Sequence, residues 1–357
     1  MIRLFRASNF RCLESAELEL SDDFNLIYGE NASGKTSLLE ALAYLGRGKS
    51  FRGASTVDLI QHGKDEFVLF GQVHSHSRVS NLGARNGRNG LEVRVDGDSE
   101  GGAAALAGAL PLQVIDPEVH NLVAGGPELR RRFLDWVAFH VEHEHLLAWR
   151  RFRRVLKQRN AALKAKSAAA TIRSWNAEFE TLGVALDQSR RRVLGVAMES
   201  LTGFGRSLLG TELRYEYQQG WSKERGLGEA LEEGIQRDLS LGASQHGPHR
   251  ADLKISYDER QARKLVSRGQ QKLLASSMIL AATETAQTAL ERPLLLLLDD
   301  PVAELDAGSL DRLMTAVSGL GCQVVATSLE RGALRVPPGA AVFHVEQGQL
   351  TAIQGPK

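Results

Sequence analysis

An α/β fold, built as two mixed halves with a helical insertion between them, is what the sequence predicts, and three observations predict it. A glycine-bearing loop, residues 29–36, stands between a short apolar run and an apolar pattern of helical period. Residues 128–166 contain neither Gly nor Pro. Near the far end, residues 294–298 are an unbroken run of leucine closed by Asp299 and Asp300.

In chain order, Ile2, Leu4 and Phe10 open an alternating, strand-like stretch, Leu18 and Leu20 continue it, and residues 24–28 form a short apolar run before Gly29. Leu38, Leu39, Leu42 and Leu45 then recur at helical spacing, with Gly46 the expected C-terminal cap. VLFGQV and LEVRV alternate as strands, and the intervening NLGARNGRNG, rich in turn residues, predicts a loop. DSEGGAAALAGAL reads as a surface connection with a short helix. Residues 128–166 predict helix, and so does a run from about 172 to 209; together they make a helical arm. LKISY predicts a strand, GQQKLLASSMILAATETAQTAL a long helix, and 294–298 a strand whose lack of alternation suits a parallel sheet covered on both faces. No internal repeat is visible. The expected divisions are 1–130, a helical lobe at 131–240, and 241–357.

Composition adds exclusions. At 357 residues the chain can bury a substantial core, and its 43% hydrophobic and 24% charged residues are those of a folded globular protein rather than a disordered one. Its 44 Lys and Arg against 43 Asp and Glu give a net charge of +1, so any polyanion-binding surface must be local. Cys12 and Cys322, far apart and each beside apolar residues, predict reduced thiols rather than a disulfide. The N-terminal segment has no uninterrupted apolar stretch, and the longest apolar run is too short to span a bilayer, so a cytoplasmic location without membrane partners is expected.

The chemistry concentrates in two segments. Gly29-Glu30-Asn31-Ala32-Ser33-Gly34-Lys35-Thr36 satisfies the G-x-x-x-x-G-K-[ST] pattern between a predicted strand and a predicted helix. Glycines let the backbone wrap a phosphate, the helix N-terminus receives its charge, and Lys35 supplies a cation to the β- and γ-phosphates. The hydroxyl of Thr36 is expected on Mg²⁺. A P-loop needs a distant acid, and the leucine strand delivers Asp299 as the second expected Mg²⁺ ligand, with Asp300 beside it to orient the attacking water. ATP and Mg²⁺ are therefore the expected cofactors, with Lys35, Asp299 and Asp300 the candidate catalytic residues.

Between these segments lies Ser267-Arg268-Gly269-Gln270-Gln271-Lys272 before the long helix, and after the acids lies Ala303-Glu304-Leu305-Asp306. Alone, the first is only a helix cap. In this order, however, the four segments resemble an ABC-type P-loop ATPase head of the SMC-like branch, whose signature and D-loop they match. Further segments resemble the RecF family: Asn9-Phe10-Arg11, Lys49-Ser50-Phe51-Arg52, Asp116-Pro117-Glu118, Gly126-Pro127, the run Arg130 to Asp135, Lys157-Gln158-Arg159-Asn160, and the run His246 to Leu253. The resemblance covers essentially the whole chain. It implies that Ser267, Gly269 and Gln270 bind the γ-phosphate of nucleotide held by the opposite subunit, that Asp306 crosses the dimer interface, and that Arg11 joins the nucleotide-binding set. Gln113 is the candidate lid glutamine, with Gln72 a competitor. It further implies an ATP-dependent homodimer that clamps gapped, single-stranded or double-stranded DNA with slow hydrolysis, and acts with RecR and RecO to load the RecA recombinase. Two departures bear on hydrolysis: Asp300 stands where many relatives carry Glu, and VVATS offers Thr327 and Ser328 where a switch histidine is usual. The alternatives are a nucleotide-gated DNA-binding scaffold without significant hydrolysis and a transporter ATPase subunit.

Weaker signals have plainer readings. His140, His143 and His145 lack the H-E-x-x-H pattern, and His246 and His249 flank a Gly-Pro turn, so a metal site is not expected at either. The basic stretches 130–132, 150–166 and 190–192 are the local candidates for phosphate contact. Trp149, Phe152 and Trp175 are expected to anchor helices.

Overall fold

The computed structural model describes residues 1–75, 78–257, 260–262 and 267–354. In chain order the elements are β1 (Ile2–Phe10), β2 (Leu13–Glu19), β3 (Phe24–Tyr28), α1 (Lys35–Arg47), α2 (Thr56–Leu59), β4 (Glu66–Ser75), β5 (Arg78–Gly87), β6 (Gly90–Val95), α3 (Ala103–Ala109) and β7 (Leu112–Ile115). There follow α4 (Asn121–Ala124), α5 (Pro127–Val141), α6 (His145–Lys164), α7 (Ala169–Arg173), α8 (Asn176–Leu209), β8 (Leu213–Gln218), α9 (Leu227–Glu233), α10 (Ile235–Leu241), β9 (Asp252–Tyr257), β10 (Arg260–Gln261) and α11 (Arg268–Leu290). The chain ends with β11 (Leu295–Leu298), α12 (Ala307–Gly319), β12 (Gln323–Ser328), β13 (Ala341–Glu346) and β14 (Gln349–Gln354).

Two compact units divide the chain: Met1–Val119 with Glu291–Lys357, and His120–Leu290. The first holds two sheets. One is antiparallel, in the order β2-β1-β4-β5-β6; the other runs β14-β13-β3-β12-β11-β7. From β13 to β7 every pairing in the second sheet is parallel, as the unbroken leucine run of β11 predicts, and all four β11 residues are buried. Both sheets contribute to one apolar core, with Phe5 and Phe67 from the first, Leu297 and Val325 from the second, and Leu38, Leu42 and Leu45 of α1 among them. That placement explains why α1 is buried far beyond one helical stripe, with Leu38 to Gly46 all covered. The Gln323 amide ties the two sheets: its Nε2 donates to the Ile2 and Ser21 carbonyls (2.7 and 2.8 Å), and its Oε1 accepts from the Ile2 N–H (2.9 Å).

In the second unit, α8 packs against α5, α6 and α11, and β8, β9 and β10 form a small antiparallel sheet. Segment 241–290, expected with the mixed domain, groups here because β9 pairs with β8 along its length and α11 lies on α8. Buried ion pairs knit this unit. Arg159, wholly buried, donates to Asp238 (2.7 Å), Asn176 (3.1 Å) and Ser244 (2.7 Å). Arg130 bridges to Asp252, Arg190 bridges to Asp135, and Arg131 and Arg190 donate to the Ala251 and Pro248 carbonyls. Three members of the basic stretches, Arg130, Arg159 and Arg190, are thus interior residues and are withdrawn as candidates for phosphate contact.

Two local expectations change. NLGARNG is not a loop: its residues lie in β5, hydrogen-bonded to β4 on one side and β6 on the other, and pairing on both edges outweighs turn composition. The α1 cap is Gly48 at φ 65°, not Gly46. Gly46 lies inside the helix, where its lack of a side chain lets β7 approach: a Cβ there would sit 2.3 Å from Leu112 Cδ2. β8 was overlooked in the sequence, although Leu213, Tyr215 and Tyr217 alternate with Arg214, Glu216 and Gln218 in the period-2 pattern of a half-buried strand.

Candidate nucleotide site

The P-loop joins β3 to α1, as the motif requires. Gly29 is obligatory there, because a Cβ would lie 2.2 Å from the Val345 carbonyl oxygen of neighbouring β13. Gly34 has φ 114°, a conformation that residues with a side chain adopt only under strain. Lys35 folds back over the loop, its Nζ donating to the Gly29 and Glu30 carbonyls at 2.7 Å each. Ser33 Oγ is buried and has no hydrogen-bond partner among the described residues. Such an atom is costly unless a ligand satisfies it.

Strand order explains how distant residues meet here. β12 lies between β3 and β11, so Thr327 at the end of β12 reaches both the P-loop helix's partner acid and the residue after it. Thr327 Oγ1 donates to Asp299 Oδ1 (3.0 Å) and accepts from the Asp300 N–H (2.9 Å). From the opposite side, the Thr36 hydroxyl donates to the same Asp299 oxygen at 3.0 Å. Asp300 has φ 48°, a left-handed conformation that a non-glycine residue holds only under constraint, here its bond to Thr327. A cleft of about 270 Å³ opens over these groups; P-loop residues line it together with Arg52, Asp299, Asp300 and Thr327.

The charges are balanced against burial. Burial lowers the Lys35 pKa, opposed by the charges of Asp300 and Asp299. Burial likewise raises the Asp299 pKa, against the hydroxyls of Thr327 and Thr36 and the charge of Arg52. Asp116, just beyond β7, is pushed up to about 6, first by burial and then by the Asp299 charge. A site with several carboxylates, one ammonium and an orphaned hydroxyl can take a phosphate chain with its counter-cation. The Thr36 hydroxyl and Asp299 carboxylate are the hard oxygen donors that Mg²⁺ prefers.

Other expected residues lie elsewhere. Arg11 forms a bidentate pair with Glu40 of α1, one contact at 3.0 Å, and Glu40 also accepts from Ser50. Gln113 on β7 is buried, its Oε1 accepting from Arg47 (3.1 Å), and it is not among the residues lining the cleft. Gln72 lies on β4, bonded to Asn81 and His74. Asp306 caps α12, accepting from the Ser309 N–H (2.9 Å) and hydroxyl (2.6 Å). Ser267, Gly269 and Gln270 belong to the second unit. There Ser267 and Gln270 make a capping box, with the Gln270 N–H donating to Ser267 Oγ (3.3 Å) and the Ser267 N–H to Gln270 Oε1 (2.9 Å).

Sequence reasoning missed the placement of Arg52 and Cys12 on the cleft; Arg52 lay within the family-marking segment 49–52, and nothing marked Cys12. Of the cysteines, Cys12 is exposed and Cys322 buried, both free. Among the described residues, no three or more His, Cys, Asp or Glu side chains are grouped so as to hold a metal ion by themselves. His145 is buried against Ser189 and Asp135, and burial drops the His249 pKa to about 4.

The model of the RecF/RecN/SMC N-terminal domain matches residues 1–350. The DNA replication and repair protein RecF of Shewanella loihica is 36% identical over 352 residues, 97% of this chain and 98% of the relative. That of Shewanella halifaxensis is 37% identical over 353 residues, 97% and 96% of the two chains.

The chain belongs to the RecF family.

Its fold agrees. A structure of the recombination mediator protein RecF with ATP, in the RecFOR pathway, superposes with a TM-score of 0.89 at 25% identity, covering 99% of this chain and 97% of that one. An Smc head domain from Pyrococcus furiosus superposes at 0.60 with 14% identity, over 99% and 95% of the chains. RecF membership thus carries the SMC-like, ABC-type head that the four ordered motifs implied. Among the described residues no helix is long and apolar enough to cross a membrane.

Proposed function

We propose that this chain is an ATP-gated DNA-binding protein of recombinational repair and replication-fork maintenance. The observation that carries the reading is the convergence of Lys35, Thr36, Asp299 and Thr327 on one cleft that also holds the orphaned Ser33 hydroxyl. ATP would lie along residues 29–36, with Ser33 and the loop N–H groups donating to phosphate oxygens and Lys35 released from the Gly29 and Glu30 carbonyls. Thr36 and Asp299 would hold Mg²⁺, which neutralises phosphate charge during transfer. Thr327 keeps Asp299 oriented, and Asp300 is the residue left to position water. Its short side chain suits slow hydrolysis.

The Ser267–Gln270 helix start would turn its positive dipole end to the γ-phosphate on an opposing subunit, so ATP would join two copies around DNA and hydrolysis would part them. Relatives named as DNA replication and repair proteins and as a recombination mediator of the RecFOR pathway support DNA as the ligand and RecR and RecO as partners; gapped, single-stranded or double-stranded DNA and service to RecA loading are what the reading adds. Light scattering with ATP, with and without DNA, tests the gate. Dimers of the wild type, none for Ser267→Arg despite retained ATP binding, and no ATP binding for Lys35→Ala are expected. Dimerisation of Ser267→Arg as in the wild type would refute the two-subunit site.

A second reading, a gated scaffold with negligible turnover, is favoured by one observation: the position usual for a switch histidine is occupied by Thr327, already bonded to Asp299 and Asp300. Steady-state turnover that DNA stimulates and Lys35→Ala abolishes would exclude it.

A further inference from the structure

Outside the nucleotide cleft, α6 concentrates positive charge. Its twenty residues carry seven Lys and Arg and no Asp or Glu, in a protein whose net charge is only +1. Of the seven, Arg159 alone is buried. The segment 157–160 divides between two faces. Arg159 and Asn160 turn inward, Arg159 to Asp238 and Asn160 to the Ser244 N–H and hydroxyl. Lys157 and Gln158 turn outward, exposed, and the interior packing gives them no task. Among the described residues, Arg154, Lys157 and Gln158 have no hydrogen-bond or ion-pair partner. Exposed cations continue along the helix as far as Lys164, a row of about 20 Å from Arg150 at 1.5 Å per residue.

Beside this row is a second cleft of about 260 Å³, lined by Arg151, Arg154, Val155, Gln158, Trp175 and Glu178. Trp175 is half-buried, held by the apolar cluster beneath α6 and α8, so its ring is fixed without being hidden. Glu178 accepts from Arg151 at 3.3 Å. A phosphate or carboxylate placed inside would face the Glu178 carboxylate; a neutral planar guest would meet the Trp175 ring and the Gln158 amide, which both donates and accepts. Outside, Arg154 and Lys157 face solvent on the rim and along the row.

We infer that α6 and the Trp175 cleft form a binding site for single-stranded nucleic acid, with one unpaired base stacked on Trp175 and read by Gln158, and the flanking phosphates on Arg154 and Lys157. Stacking on an aromatic side chain beside a cationic track is how single strands are held with little sequence preference. A duplex keeps its bases stacked and offers none to the cleft. The inference rests on the DNA-binding reading above and assigns it a surface.

The experiment uses the full-length protein and a labelled oligothymidylate of about 25 nucleotides, with a duplex of equal length as comparison, and measures anisotropy across a salt series. Trp175→Ala should weaken single-strand binding about five- to hundredfold, Trp175→Phe should retain most of it, and duplex binding should change little. Arg154→Gln and Lys157→Gln should each reduce the salt slope by about 0.7, and Gln158→Ala should weaken binding with the slope unchanged. Thermal melting establishes that each variant is folded. A photo-crosslinking 5-iododeoxyuridine strand should attach within residues 149–179. Wild-type binding with unaltered single-strand affinity and slopes in Arg154→Gln, Lys157→Gln and Gln158→Ala, or crosslinks confined elsewhere, would overturn the inference; this includes the case in which α6 serves a protein partner. Absence of all DNA binding by the wild type would instead refute the reading on which it rests.

Discussion

Replacing Asp116 by Asn should stabilise the nucleotide-free protein, and the gain should depend on pH in a defined direction. Burial and the neighbouring Asp299 raise the Asp116 pKa from 3.8 to about 6, while the charge of Arg47 pulls the other way. Between those values the folded state binds more protons than the unfolded chain, so stability falls as pH rises through the window. Above it the folded protein carries the full cost of the ionised carboxylate. At 1.36 kcal/mol per unit, that cost is about 3 kcal/mol, an upper figure because water reaches part of the side chain. Asn keeps the size and has no charge to ionise. Melting curves of both proteins without Mg²⁺ or nucleotide, from pH 4 to 7.5, should coincide near pH 4 and separate by several degrees at pH 7.5, the variant being higher. Equal melting at pH 7.5, or a gain undiminished at pH 4, would refute the assignment of burial as the cause.

Arg159→Ala leaves Asp238 charged in a dry interior and should cost about 3–5 kcal/mol by urea denaturation, whereas Arg159→Met with Asp238→Leu should recover most of it. Asp300→Glu lengthens the arm beside Asp299; if Asp300 positions the attacking water, DNA-stimulated ATP turnover should rise at unchanged ATP affinity, and unchanged turnover counts against that role. Thr327→Val removes the hydroxyl that accepts from the Asp300 N–H and donates to Asp299, and should lower Mg²⁺-dependent ATP affinity more than affinity in the presence of EDTA, as isothermal titration can measure.

The parts of the site legible in sequence were those where backbone geometry and side-chain chemistry coincide within a few residues. Residues 29–36 combine obligatory glycines with Lys35 and Thr36, and 294–300 combine a two-sided buried strand with its terminal acids. The meeting of Thr36 with Asp299, across a separation of 263 residues, follows only from the strand order. Composition misled where pairing decided the outcome: Gly83 and Gly87 looked like turn residues, yet both are hydrogen-bonded within β5. Charge misled for Arg130, Arg159 and Arg190, since a lone sequence cannot show which carboxylate of a distant segment each arginine faces. Arg11 and Gln113 were assigned from resemblance and position, and the structure finds Glu40 and Arg47 as their partners.

The parallel neighbours of β3 on both sides, β12 and β13, come from the last tenth of the chain. While the protein is being made, the strand that carries the P-loop therefore waits with two open edges until about 300 further residues have emerged, roughly 15–60 s at ordinary elongation rates. Residues 120–290 can complete their own packing during that interval. The two acids and Thr327 are made late as well, so the hydrogen bonds that join Thr36, Asp299 and Thr327 form only after β12 has emerged. A chain broken off before β12 would present the P-loop strand without its parallel neighbours, however well residues 120–290 had folded.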